Sequence, residues 1–351
     1  MVRITGDFQR ESALDSATTD LLKEFFAKGW PDPTKLNKVS RQAAILLQEV
    51  RESFAKSLNV RSDEIEFIGE PDLGFQLGIQ GLLKSGSKLL YSAIDRQRVF
   101  AVASFEKNAG RIVTQLPVNN NGVITQSQAT DNDLLVWQVA NGETGNTQLS
   151  PNTGPMVFAD CTSSGVDLLP KFDYQTALFD STSWAGPAGI GILVIKSNAK
   201  WSNPLPHNDL SRTPTTYSLP LLLASAVALE NYLAQIDNRS KLKQEIISFI
   251  TDQIADVDIA SGSNSLSKFL SISIKGVEAD RLLLDLEENG FAVDSGSACK
   301  SADMQPSHVL AAMGRPIAGN IRLTIHKKIT EQIVKEFCTA LYTSVAKLRG
   351  N

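Results

Sequence analysis

Six short apolar runs, separated by stretches of helical spacing, constrain the fold of this chain most. They are Glu64–Ile68, Ser87–Ser92, Leu134–Val139, Met156–Asp160, Ala177–Asp180 and Gly191–Ile195. A strand apolar at consecutive positions has both faces covered, because a solvated face would carry alternate polar residues. Such runs alternating with helices predict a mostly parallel sheet between two helix layers. The spacing predicts an amphipathic helix over Val39–Leu58 and one long helix over Leu219–Ile247. Beyond it a second unit is expected, with strands at Lys268–Ile274 and Asn320–Ile325 and helices at Asp280–Asn289 and Thr330–Leu348. At 351 residues the chain exceeds the ~250–300 at which a single core stops growing, so two domains are expected.

Apolar residues make up 42% of the chain and charged residues 21%, and the net charge is −4. That balance suits a soluble protein and points to no nucleic-acid or membrane partner. No stretch approaches the ~18 apolar residues of a membrane span. The opening MVRITGDFQRES lacks an apolar run before a cleavage site, so a cytoplasmic protein is expected. Cys161, Cys299 and Cys338 are too widely spaced for a disulfide framework or a zinc site. Cys161 and Cys338 read as buried, inert thiols.

Five segments, in order, carry a resemblance. They are Leu14–Thr19 (LDSATT), Ala140–Gly145 (ANGETG), Gly186–Gly191 (GPAGIG), Asp294–Ser301 (DSGSACKS) and Gln305–Leu310 (QPSHVL). The chain resembles the cysteine desulfurases, class V aminotransferase-like enzymes that take sulfur from cysteine with pyridoxal phosphate (PLP). The resemblance runs from about Leu14 to Phe337. It implies an α/β protein of PLP-dependent transferase fold type I. Residues 14–222 would form a large domain, its mostly parallel sheet lying between helices. Residues 1–13 and 223–351 would form a smaller α+β domain. It also implies a homodimer with active sites at the interface.

The same resemblance assigns positions to the site. Aligned on Gly186-Pro187, Ser183 stands at the Schiff-base lysine and Thr182 at the preceding histidine, and a hydroxyl cannot form an imine. Neither Lys171 nor Lys196 lies where it could substitute. Asp72 stands at a threonine of the phosphate cup and Asp180 at a serine. At ~5 Å and an effective dielectric of ~20, each carboxylate would repel a phosphate charge by roughly 3 kcal/mol. Asp72 is expected to cap the following helix instead. Arg96 replaces the histidine that stacks on the pyridine ring, and Gly142 replaces the second asparagine of the A-N-N-E turn.

Other positions are retained. Asp160 matches the aspartate that pairs with the pyridinium nitrogen, or else caps a turn with Thr162 and Ser163. Thr215 matches the threonine that reaches the neighbouring subunit's phosphate, with Pro214 stiffening its loop. Arg322 matches the substrate-carboxylate arginine, or else pairs with an interface carboxylate. Cys299 matches the cysteine that accepts sulfur as a persulfide, its thiolate favoured by Lys300, or else is an ancestral residue without a task. His308 is expected to cap or pack its helix.

With the lysine, histidine and cup hydroxyls replaced, no cofactor is expected, although PLP is the family's. Three readings follow. The chain is a silenced homologue that regulates or scaffolds, as a homodimer or as a heterodimer with an active paralogue. Alternatively it is a PLP-independent sulfur carrier on Cys299. The third reading is a binding protein for an amino-acid-like zwitterion held by Arg322, Arg96, Asp160 and the two aspartates. An active desulfurase would need a different alignment at Ser183.

Overall fold

A computed structural model describes residues 4–11, 13–29, 31–126, 129–151, 154–208, 211–296 and 306–350. The chain opens with β1 (Gly6–Asp7), α1 (Ser16–Lys28), α2 (Lys38–Leu58), β2 (Ile65–Ile68) and α3 (Pro71–Gln80). Then come β3 (Leu89–Ser92), α4 (Gln97–Asn108), β4 (Val113–Leu116), β5 (Leu134–Gln138), β6 (Met156–Asp160), β7 (Thr176–Asp180) and β8 (Gly191–Ile195). Next follow α5 (Leu219–Ala234), α6 (Arg239–Gln253), β9 (Val257–Ile259), β10 (Phe269–Ile274) and α7 (Ala279–Glu288). The last elements are β11 (Phe291–Ala292), β12 (Asp294–Ser295), α8 (His308–Ala312), β13 (Asn320–Thr324) and α9 (Glu331–Arg349).

Seven strands form the main sheet in the order β2-β8-β7-β6-β5-β3-β4. Pairings from β4 through β7 are parallel, while β8 runs antiparallel to both β7 and β2. Every residue of β5 and β8 is buried, as their unbroken apolar runs require. On one face α2 and α5 enclose Phe54, Phe67, Phe179 and Trp184. On the other, α3 and α4 cover Phe158, Leu178 and Leu193. Gly78 lets α3 sit this close, since a Cβ there would stand 2.3 Å from the Phe158 ring. Local chemistry sets the helix ends. Asp15, Asn37 and Thr330 accept N-terminal N–H groups of α1, α2 and α9, and Asn59 ends α2 in the left-handed region.

A second, antiparallel sheet in the order β12-β13-β10-β9 packs with α6, α7 and α9 around Ile272, Ile321 and Leu341. The N-terminal segment joins this unit. β1 pairs with β11, the Thr324 N–H donates to the Phe8 carbonyl at 2.7 Å, and Phe8 packs 4.7 Å from Phe337.

The structure corrects one expected element and adds edge strands. The long helix over Leu219–Ile247 is two, α5 and α6, bent by 71°. Asp237 holds the corner by accepting from the Arg239 N–H at 3.1 Å and Nε at 2.8 Å. Strand β4 was not anticipated because Thr114 and Gln115 at this sheet edge are exposed. Strand β9 likewise shows only half-buried residues. Among the described residues no single helix is long and apolar enough to cross a membrane, although the bent pair α5–α6 passes together on length and composition.

Candidate functional site

The C-terminal ends of β5, β6 and β7 meet beside the start of α4, where ligands of open α/β sheets collect. After β5, the Asn141 side chain accepts from the N–H groups of Glu143 and Thr144 at 2.9 and 3.0 Å and donates to the Ile94 carbonyl at 3.1 Å. Gly142 follows, and a Cβ there would lie 2.7 Å from Ser163 Oγ and 3.1 Å from Arg10 Nη1. An asparagine has no room at this position while Arg10 occupies it.

Asp160 closes β6 and is 1% exposed. Its Oδ1 accepts from the Thr162 N–H and hydroxyl at 2.9 and 2.6 Å, which is the turn-capping role. Its Oδ2 has no hydrogen-bond partner and lies 3.5 Å from Arg96 Nε. Arg96 Nη2 donates to Ser163 Oγ at 2.6 Å, so this guanidinium spans Asp160 and Ser163. Arg10, on the segment after β1, brings a second guanidinium alongside. The neighbouring Arg96 charge, aided by burial, pulls Arg10 down to about 10, against the charges of Asp180, Glu11 and Asp160. Asp95, wholly buried next to Arg96, is pushed well above the usual carboxylate range by desolvation.

Asp180 ends β7 and caps the 3-10 turn Ser181–Trp184, accepting from the Thr182 N–H at 2.9 Å and hydroxyl at 2.8 Å. Ser183 Oγ donates to the Asp180 carbonyl at 2.7 Å and leaves no space for a side chain at Gly165. A lysine does approach, from an unexpected direction. Lys268, just before β10, places its Nζ 3.3 Å from the carbonyls of Ser164 and Ser183 and 3.0 Å from Asp167 Oδ2. Its three protons thus have three acceptors, and burial lowers it to about 8. Neither Lys268 nor Arg10 was singled out from the sequence. Both act across long sequence separations, and Arg10 precedes the recognisable motifs.

The expected cap at Asp72 is corrected. Glu70 is the N-cap of α3, accepting from the Asp72 N–H at 3.1 Å, and Asp72 sits inside the first turn behind Pro71. The Asp72 carboxylate pairs with Arg98 Nε at 2.5 Å on an exposed surface. Neither Asp72 nor Asp180 is therefore a bare charge.

Arg322, on β13, donates to the Ser295 carbonyl at 2.6 Å and lies 3.7 Å from Glu143 Oε2. Glu143 also accepts from the Ser307 hydroxyl at 2.6 Å, tying the turn after β5 to α8. Ser307 caps α8, and His308 packs edge-on against Phe100 with Nε2 2.9 Å from the Asp95 carbonyl. Thr215 lies exposed in the loop before α5, near Arg212, which pairs with Glu66 at 2.5 Å. Burial pushes the Cys161 thiol well up and the Cys338 thiol up to about 11, so both favour the protonated form. Cys299 and Lys300 lie outside the described residues.

The aminotransferase class-V family model matches residues 12–337. The chain belongs to the aminotransferase class-V family. Among relatives of this class V chain, cysteine desulfurase IscS of Clostridium botulinum is 28% identical over 364 residues, spanning 90% of this chain and 89% of that one. Cysteine desulfurase NifS of Azotobacter vinelandii is 24% identical over 385 residues, covering 100% and 94%. A solved NifS-like protein superposes with a TM-score of 0.85 at 20% identity, covering 97% of this chain and 99% of the other. The fold is accordingly that of the class V enzymes.

This membership corrects the expectation of no cofactor. Cysteine desulfurases, among them the relative matched at 28% identity, work through PLP. The residues of this chain suit the group unevenly. Asp160 Oδ2, buried and lacking a hydrogen-bond partner, is what a pyridinium nitrogen requires. Ser183 offers no amine, and Arg96 and Arg10 converge beside Asp160. No covalent link can be drawn at Ser183.

Proposed function

We propose that this class V protein has a silenced desulfurase site and acts as a regulatory or scaffolding homologue within a dimer. The observation that carries this reading is the end of β7. There Ser183, which the family pattern sets against the Schiff-base lysine, holds its hydroxyl on the Asp180 carbonyl, and Lys268 meets it through the backbone. Arg10 and Arg96 flank Asp160, and Arg322 is engaged by Ser295 and Glu143. An amine for imine exchange is lacking among these residues, and Arg322 is already engaged. Exposed Phe26, Leu36, Val39 and Ile45 on and between α1 and α2 support a pairing surface.

The test is sulfide release from cysteine by purified protein supplied with PLP, run beside an active class V desulfurase. No sulfide above the protein-free blank is expected. Turnover comparable with the active enzyme would overturn the reading. Mixing the two proteins and measuring mass and rate then reports pairing, with a heterodimer or an altered rate expected.

A further inference from the structure

A cavity of about 220 Å³ opens behind the Ser181–Trp184 turn, between the core of the seven-stranded sheet and that of the four-stranded one. It is larger than the ~150 Å³ that accommodates a benzene ring. Leu14, Trp184, Ala185, Ala228, Phe269 and Ile325 give it an apolar wall.

The charged groups around it are not balanced. Arg239 and Lys268 are answered by Asp167 and Asp237. Asp15, the carboxylate in the wall, is engaged as the α1 cap, accepting from the Thr18 N–H and hydroxyl at 2.8 Å each. Two cations remain. Arg10 makes none of the described ion pairs and stands against another guanidinium, Arg96. Among the described residues Lys327 donates to the carbonyls of Tyr232 and Gln235, at 2.7 and 3.4 Å, over the Tyr232 ring. Arg10 lies toward Gly142 and Ser163, whereas Lys327 lies at the C-terminal end of α5.

We propose that this cavity binds a small dicarboxylate, one carboxylate on Arg10 and the other on Lys327, with its short carbon chain against Trp184 and Phe269. Two separated cations beside an apolar wall match two anionic heads on a hydrocarbon body better than a single compact anion. The cavity adjoins the strand-end positions that carry the desulfurase resemblance, Thr182 and Ser183 standing in its wall. Its test reads binding and not sulfide, so its failure is distinguishable from failure of the silenced-site reading.

The experiment is calorimetric titration and thermal-shift measurement of the full chain with succinate and glutarate. Succinamide serves as a neutral counterpart, and inorganic phosphate as a compact anion. The expected result is saturable binding of at least one diacid, none of succinamide, and phosphate weaker by about tenfold or more. Arg10→Gln and Lys327→Gln should each weaken the diacid by about tenfold, while Lys241→Gln, on the outer face of α6, leaves it unchanged. If Arg10→Gln does not fold, Lys327→Gln carries the test alone. Absence of saturable diacid binding at millimolar concentration, equal binding of phosphate, or diacid affinity indifferent to the substitutions that fold would each overturn the proposal.

Discussion

Replacing Asp167 by asparagine should destabilise the protein in a way that alkaline pH partly repairs. Asp167 accepts from Arg239 at 2.8 and 3.2 Å, from the Tyr232 hydroxyl at 2.8 and 2.9 Å, and from Lys268 at 3.0 Å. Burial would raise its pKa, but the charges and bonds of Lys268 and Arg239 outweigh that and hold it at about 2. The side chains of Arg239 and Lys268 are 3% and 6% exposed, so solvent cannot take over from the lost carboxylate. Arg239 cannot shed its proton but keeps Asp237, and losing its bonds to Asp167 costs about 1.5–3 kcal/mol. Lys268 already sits near 8, so at pH 7 it loses at most about 1.4 kcal/mol before giving up its proton.

The total is about 3–4 kcal/mol, or a urea midpoint lower by about 1 M. The sign of the pH dependence follows from Lys268. Its folded pKa lies below its ordinary 10.5, so the unfolded chain binds more protons and stability rises with pH. In Asp167→Asn that rise begins below the wild-type value near 8, so by pH 9 the gap to wild type should shrink by about 1 kcal/mol. Urea unfolding followed by tryptophan fluorescence and circular dichroism at pH 7 and pH 9 makes the comparison. An unchanged midpoint at pH 7, or a gap that widens at pH 9, refutes the account. Adding Lys268→Met to Asp167→Asn should recover stability relative to the single variant, since it removes the stranded charge.

Two further outcomes are expected. Gly78→Ala would press a methyl into the Phe158 ring, 2.3 Å away, and should cost about 1–3 kcal/mol, read as a lowered melting temperature. For Glu64, burial is outweighed by bonds from the Ser197 N–H, Lys196 and the Arg61 N–H, which hold its pKa below the ordinary value. Its stabilisation is therefore present above pH 4.5 and lost as pH falls through the depressed value. Glu64→Gln should consequently melt lower at neutral pH yet lose less than wild type between pH 5 and pH 3.

The central strands were legible because burial on both faces leaves an unbroken apolar signature, as in β5, β6 and β8. The edge strand β4 carries no such signature, since its stability comes from backbone pairing with β3. The bend between α5 and α6 was hidden because both halves are good helix formers and the corner depends on an Asp237–Arg239 contact that periodicity does not register. At the site, the family pattern singles out Ser183, Arg96 and Gly142 as replaced positions. Their consequences could not be read from it. Arg10 is brought to Gly142 by the pairing of β1 with β11, and Lys268 reaches Ser183 from a different sheet. The cap at α3 was misplaced by two residues, because Pro71 at the first helical position makes Glu70 the residue whose side chain can reach back into the turn.

The stitching of the N-terminus bears on how the protein is born. The Arg10 N–H is bonded to the Asp294 side chain, 284 residues further on. At about 5–20 residues per second, a ribosome needs roughly 15–60 s to bridge that distance. The seven-stranded sheet emerges whole in that interval, while the first segment has no partner to dock on. Its guanidinium can enter the strand ends only after the last third of the polypeptide has been made. The sheet and its helices are thus expected to condense around a centre still lacking its N-terminal wall, and the final act of folding is the closing of that wall.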